Sequence, residues 1–182
     1  MKIVAIFDII EESLYSVQYD SENKNEFRRL FDLWNDPIYL HDFFTNHIGD
    51  LHSGVWGSIS IEEAIERTRR EAKMMEAKIL ELAETGKTSK YDNLSEYFRP
   101  LTLKETGRKL ERDKGKGLNK HNWLRVYAIR IDSNTFVICG GAIKLTADMN
   151  ERAHLLLELE KFNIAQEYLK DEENPDLEFI EL

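Results

Sequence analysis

One cysteine, Cys139, stands in a chain of 182 residues, so no internal disulfide and no multi-cysteine metal site can form. A reducing, cytoplasmic setting suits that usage. Cys139 lies in the apolar run TFVIC and reads as a small buried hydrophobe. No apolar run approaches the ~20 residues of a membrane span, which argues against a membrane partner. The amino-terminal IVAIFDII is short and soon acidic, without a small-residue cleavage site. It reads as a strand rather than a signal peptide. No internal repeat is visible, and no Ser-His-Asp or Cys-His arrangement can be read. The tetrapeptide GKTS at 86–89 lacks the earlier glycine of a phosphate loop and follows a helix rather than a strand. His41, His47 and His52 crowd one segment with Asp42 and Asp50, but their spacing does not stack ligands on one helix face. A metal hydrolase built on His41, His47 and Asp50 is therefore the least supported reading, and neither metal nor other cofactor is expected.

What is present is charge, unevenly placed. The net charge is −9, with 34 acidic and 25 basic residues. Residues 1–103 hold 12 Lys/Arg against 19 Asp/Glu, residues 104–130 hold 9 against 3, and residues 153–182 hold 2 against 9. An acidic chain repels nucleic acid as a whole, yet a basic island within it can hold phosphate locally. The plain alternative is a solvated basic loop.

A hydrophobic content of 42% suits one domain with its own core. Residues 2–8 and 14–19 predict a strand hairpin. A helix over about 24–34 carries Phe27, Leu30, Phe31 and Trp34 on one stripe, and a second opens at Pro37 and ends near Gly49. Ser60 and Glu63 stand at capping-box spacing. The stripe Ile61, Ile65, Thr68, Ala72, Met75, Ile79 and Leu82 then predicts a long helix over 61–84, ended by Gly86. A short helix is expected at 93–98 and a mobile loop at 104–120. Strands are expected at 123–132, 135–139 and 142–146, with a turn at 132–134 and a bulge or turn at Gly140-Gly141. A last helix runs over about 150–170, with Leu155, Leu159, Phe162, Ala165 or Gln166, and Leu169 inward and an acidic, frayed tail beyond. The fold class is α+β, a small antiparallel sheet packed by helices with a helical N-terminal portion. Residues 1–120 form the hairpin, helices and basic loop and residues 121–182 the sheet and C-terminal helix, together one compact unit.

Candidate chemistry concentrates in HNWLRVYAIRIDSNTFVICGGAIKLT, residues 121–146. Period two puts Arg125 on one face with Tyr127, and Arg130 on the other. Lys144 shares a face with Ala142. If Arg125, Tyr127 and Lys144 share one face, they form a cationic patch beside an aromatic, suited to a phosphodiester and a stacked base. The cations would stabilise developing charge and the tyrosine would act as acid or base. Lys114, Lys116, Lys120 and Arg130 would draw RNA in, and His121 is a further acid/base candidate. The structural alternative is edge-strand charge that blocks aggregation.

Leu124-Arg125-Val126-Tyr127, Phe136-Val137-Ile138, the segment GAIKLT at 141–146 and the Glu-rich helix after Asn150 resemble the RelE/HigB-like toxins of bacterial toxin–antitoxin systems. The phage-related HigB-like branch is the most similar, and the resemblance covers residues 123–170. It implies a small antiparallel sheet packed by helices, metal-independent cleavage of mRNA, contact with the ribosome and an antitoxin partner. It also implies that Arg125 and Lys144 hold the phosphate. The rival expectation is a non-enzymatic interaction protein on the same scaffold, pairing with a partner or its own copy through helix 61–84.

Overall fold

The computed structural model describes residues 1–100, 111–116, 122–146, 152–170 and 179–180, with backbone alone at 99–100, 111–116 and 179–180. The fold is α+β. Strands β1 (Ile3–Ile10) and β2 (Leu14–Tyr19) form the expected hairpin. Helices α1 (Glu26–Asn35), α2 (Pro37–Asn46), α3 (Ile48–Leu51) and α4 (Ile61–Thr85) follow. Next come α5 (Leu94–Tyr97), β3 (Phe98–Pro100), β4 (Glu111–Lys116), β5 (Leu124–Arg130), β6 (Phe136–Ile143), α6 (Ala153–Lys170) and β7 (Phe179–Ile180).

Local chemistry sets the helix starts. Asn25 accepts from the Arg28 N–H at 3.0 Å and Asp36 from the Ile38 N–H at 2.8 Å. Ser60 and Glu63 form the full capping box, 3.1 and 2.9 Å for its two bonds. Gly86 does end α4, but with ordinary right-handed backbone. Its smallness serves close approach instead, since a Cβ there would overlap the Asn134 amide. That amide donates to Ser13 Oγ and the Ala83 carbonyl and accepts from the Leu94 N–H, stitching the β5–β6 turn to the end of α4.

The strands join one mixed sheet of order β3-β4-β5-β6-β2-β1-β7. The expected antiparallel pairings are present, and two parallel ones extend them, β2 with β6 and β1 with β7. The N-terminal hairpin and the C-terminal strands are therefore halves of one sheet. Three local expectations are corrected. The expected strands at 135–139 and 142–146 are one strand, β6, which ends at Ile143 and is interrupted by a bulge where Tyr127 pairs Gly140 and Ala128 pairs Ile138. Part of the expected loop, Glu111–Lys116, is strand β4, because β5 offers it a ladder partner at every residue. Within the expected frayed tail, Phe179–Ile180 pairs beside β1.

Each face of the sheet is covered. Helices α1, α2 and α4 close over Leu14, Leu124, Val126, Ala128, Phe136, Ile138 and Ile143. Helix α6 closes over Val17, Tyr19, Tyr127, Ile129, Val137 and Cys139, packing on β6, β5 and β1. Gly141 sits where α1 presses closest, and a Cβ there would lie 2.6 Å from the Arg125 carbonyl and 2.7 Å from Leu30. Gly141→Ala should lower stability by about 1–3 kcal/mol in urea denaturation, as overpacking against backbone does. Gly49→Ala, which meets nothing within 4 Å, should change it little.

Candidate nucleic-acid interface

Directly opposed residues of a ladder share a face. The β4–β5 register sets Lys116 opposite Arg125, Lys114 opposite Tyr127 and Arg112 opposite Ile129. The β3–β4 register sets Arg99 opposite Lys114. Glu111 and Asp113 fall on the alternate positions, opposite Arg130 and Ala128. Strand β4 thus sorts its charges, basic positions on the Arg125 face and acidic positions on the other. On the far side Arg125 pairs Ala142, and Lys144 follows two residues later with its N–H on the Trp123 carbonyl at 2.8 Å. Lys144 lies just past the end of β6, between Ile143 and Leu145, which both pack in the α1–α4 core, so its position is set toward the Arg125 face.

Arg125 is half-buried, and its Nη1 donates to the Asn122 and Leu124 carbonyls, both at 2.7 Å. Burial pushes its pKa down, and the groups that oppose this are the Tyr127 and Tyr97 phenols. Among the described residues no carboxylate pairs with it. Tyr127 is 1% exposed, its ring 5.8 Å from that of Phe162 on α6. Burial pushes its phenol well above the ordinary value, with Glu158 adding and Arg125 opposing. It keeps its proton at neutral pH, and its ring has no open face for a base. Arg130 lies on the opposite face, its guanidinium 5.3 Å from the Phe136 ring centre, and does not join the patch. Lys120 and His121 lie outside the described residues.

Tyr97 escapes sequence reasoning. Its buried hydroxyl has no hydrogen-bond partner among the described residues, and Arg125 lowers the pKa that burial raises. Its only sequence signal is the break of α5 into β3 at Tyr97-Phe98, which sets it at the sheet edge.

A second group missed by the hydrophobic stripe pins α6 over this face. Lys161 Nζ reaches Glu26 Oε2 at 3.0 Å and Glu158 Oε1 at 3.3 Å. Arg29 grips Glu26 with 2.6 and 2.8 Å bonds, and the Gly141 N–H donates to Glu158 Oε2 at 2.7 Å. The Tyr19 hydroxyl donates to the Cys139 carbonyl at 2.8 Å, with the Lys161 carbonyl at 3.1 Å. Glu26, Glu158 and Lys161 are all buried, and burial pushes the Glu158 pKa up against the pull of Lys161. A readable signal existed, since Glu158 falls three residues after Leu155 and four before Phe162, on the inward stripe.

The histidine segment is otherwise engaged. His47 stacks on Phe43 with centroids 4.3 Å apart and meets His154 edge-on at 4.8 Å. Asp50 takes a two-pronged ion pair from Arg152, with Nε at 2.7 Å. The Nε2–H of His154 donates to the Ile143 carbonyl at 3.1 Å, and burial holds its pKa below the ordinary value. Among the described residues no group of three His, Cys, Asp or Glu is placed to hold a metal ion.

Lys161→Met leaves two buried carboxylates short of their cation and should cost about 3–5 kcal/mol in denaturant unfolding. Adding Glu26→Gln should recover part of it. The His154 shift has a definite sign. A histidine with a lowered folded pKa favours the neutral form when folded, so stability is lost as pH falls below about 6.5, where the unfolded chain takes up the proton. His154→Gln should flatten that limb of a stability–pH curve.

No protein-family model matches the chain, and neither a curated protein nor a solved structure matches it.

Proposed function

We propose that the chain is a toxin of the toxin–antitoxin type that acts on RNA, a metal-independent mRNA endoribonuclease in which Arg125 and Lys144 hold the scissile phosphate. The observation that carries this is Arg125, a half-buried cation with no paired carboxylate among the described residues. Beside it lies the hydroxyl of Tyr97, which has no hydrogen-bond partner among the described residues. An anion between the two supplies both the missing countercharge and the missing acceptor. A phosphodiester is such an anion, and the ladder positions of Lys116, Lys114, Arg112 and Arg99 continue the cationic track along which a strand would run. The resemblance of residues 123–170 to RelE/HigB-like toxins supports the same assignment.

In this reading Arg125 and Lys144 stabilise the charge that develops on the phosphate oxygens. Tyr97, rather than the enclosed Tyr127, is the phenol that donates to the phosphate. Tyr127 holds the strand under α6. The acid/base group nearest in sequence is His121. A non-enzymatic interaction protein is the second reading, and the burial of Tyr127 beneath Phe162 favours it.

Induced expression in a bacterial host should arrest growth and shorten mRNA. Arg125→Ala with Lys144→Ala should abolish both, and each single change should slow cleavage by roughly 10²–10³. Arrest by the folded double variant at the parent's level would remove the patch as the site. Partner capture without RNA cleavage by the parent would establish the second reading.

A further inference from the structure

The segment at 67–73, RTRREAK, sets four cations within seven residues of α4, outside the basic island of 104–130. Arg67 is spoken for. It pairs with Glu71 at 3.1 Å, and its guanidinium lies 4.2 Å from the Trp123 ring centre and 5.9 Å from that of Trp56. Arg69, Arg70 and Lys73 are exposed and form no ion pair among the described residues. On a chain of net charge −9, three neighbouring exposed cations that form no ion pair among the described residues make a local positive patch that favours an anionic ligand.

Trp56 stands next to them. The loop that carries it turns at Gly54 and Gly57, both with positive φ, and lays the indole back against the sheet. Its Nε1–H donates to the Leu145 carbonyl at 2.8 Å, and its ring meets Trp123 edge-on at 5.2 Å. Two fixed points hold the ring while part of it stays open to a cavity of about 430 Å³, shared with Glu66, Arg67 and Arg70. A second groove of about 400 Å³ runs on along Glu66, Arg69, Arg70 and Lys73. A rigid, partly open indole leading into a row of unpaired cations is the arrangement that binds a base and its following phosphates. The residue that anchors the indole, Leu145, is the neighbour of Lys144.

We infer that Trp56 with Arg69, Arg70 and Lys73 is a subsite for single-stranded RNA, taking one flanking base on the indole and its phosphates on the helix. It rests on the RNA reading and extends that strand from Lys144 around the sheet end onto α4.

Trp34 and Trp123 are 1% and 0% exposed, so quenching of tryptophan emission by a bound strand reports Trp56. The full chain is titrated with an unstructured oligouridylate of about a dozen nucleotides, following emission and the anisotropy of labelled RNA together. Emission should fall in step with binding. Trp56→Ala should weaken binding roughly 5- to 150-fold, the range of one lost stack. Arg69→Gln, Arg70→Gln and Lys73→Gln together are surface changes and should reduce the slope of log affinity against log salt by about 2. Binding that Arg125→Ala with Lys144→Ala weakens, but that leaves emission and the triple variant unchanged, overturns the subsite and keeps the RNA reading. No binding at low salt overturns both. Equal quenching by inorganic polyphosphate overturns the base stack, and quenching only by an acidic peptide makes the ridge a protein contact.

Discussion

The fold depends on keeping two buried carboxylates, Glu26 and Glu158, satisfied by the buried Lys161 and the half-buried Arg29. Strands β2 and β6 pair only from Leu14 to Ser16, and beyond Ile138 the two part. The start of α1 enters the gap, with the Phe27 N–H on Ser16 Oγ at 2.8 Å, and Glu26 meets Lys161 and Arg29 there. Helix α1 belongs to one face of the sheet and α6 to the other, so the charges tie both layers through the opening. Separating such groups leaves an uncompensated ion in an apolar interior, whereas replacing the whole set by apolar groups need not cost anything. The network therefore fixes which arrangement forms more than how stable it is, and α6 lies over Tyr127 as a result.

Much of the architecture was legible because it is local. The alternation in LYSVQY, the Ser60–Glu63 box and the stripe through Ala72, Met75 and Ile79 each need only neighbouring residues to be interpreted, and each element stands within two residues of its expected place. What was not legible depends on partners far along the chain. Parallel pairing of β2 with β6 joins residues over a hundred apart, and no periodicity in either strand announces it. Strand β4 hides because ERDKGK is charged and glycine-containing, and only its neighbour β5 makes it a strand. Lys161 hides for the opposite reason, since a polar letter on a helix reads as solvent-facing unless its counter-ion is known.

The candidate site shows the same division. Period two gave Arg125 and Tyr127 a common face, and the structure keeps it. That the face is roofed by α6 at Tyr127, while cationic ladder positions extend from Arg125 toward the β3 edge, is a property of layer packing. Charge on this protein is arranged by strand face and helix face. A net charge of −9 conceals a basic side of β4 and a basic ridge on α4.

The bulge at Cys139-Gly140 has a further consequence. Side chains along a strand alternate with strict parity, and one extra residue reverses it for everything downstream. Phe136 and Ile138 face the α1–α4 layer, and unbroken alternation would send residue 144 the same way. The extra residue puts Ala142 opposite Arg125 instead, and carries Lys144 with it. The bulge is a parity switch. Were the same residues laid in regular pairing through CGG, every side chain of the site would remain in the sequence and its lysine would move to the other side of the sheet.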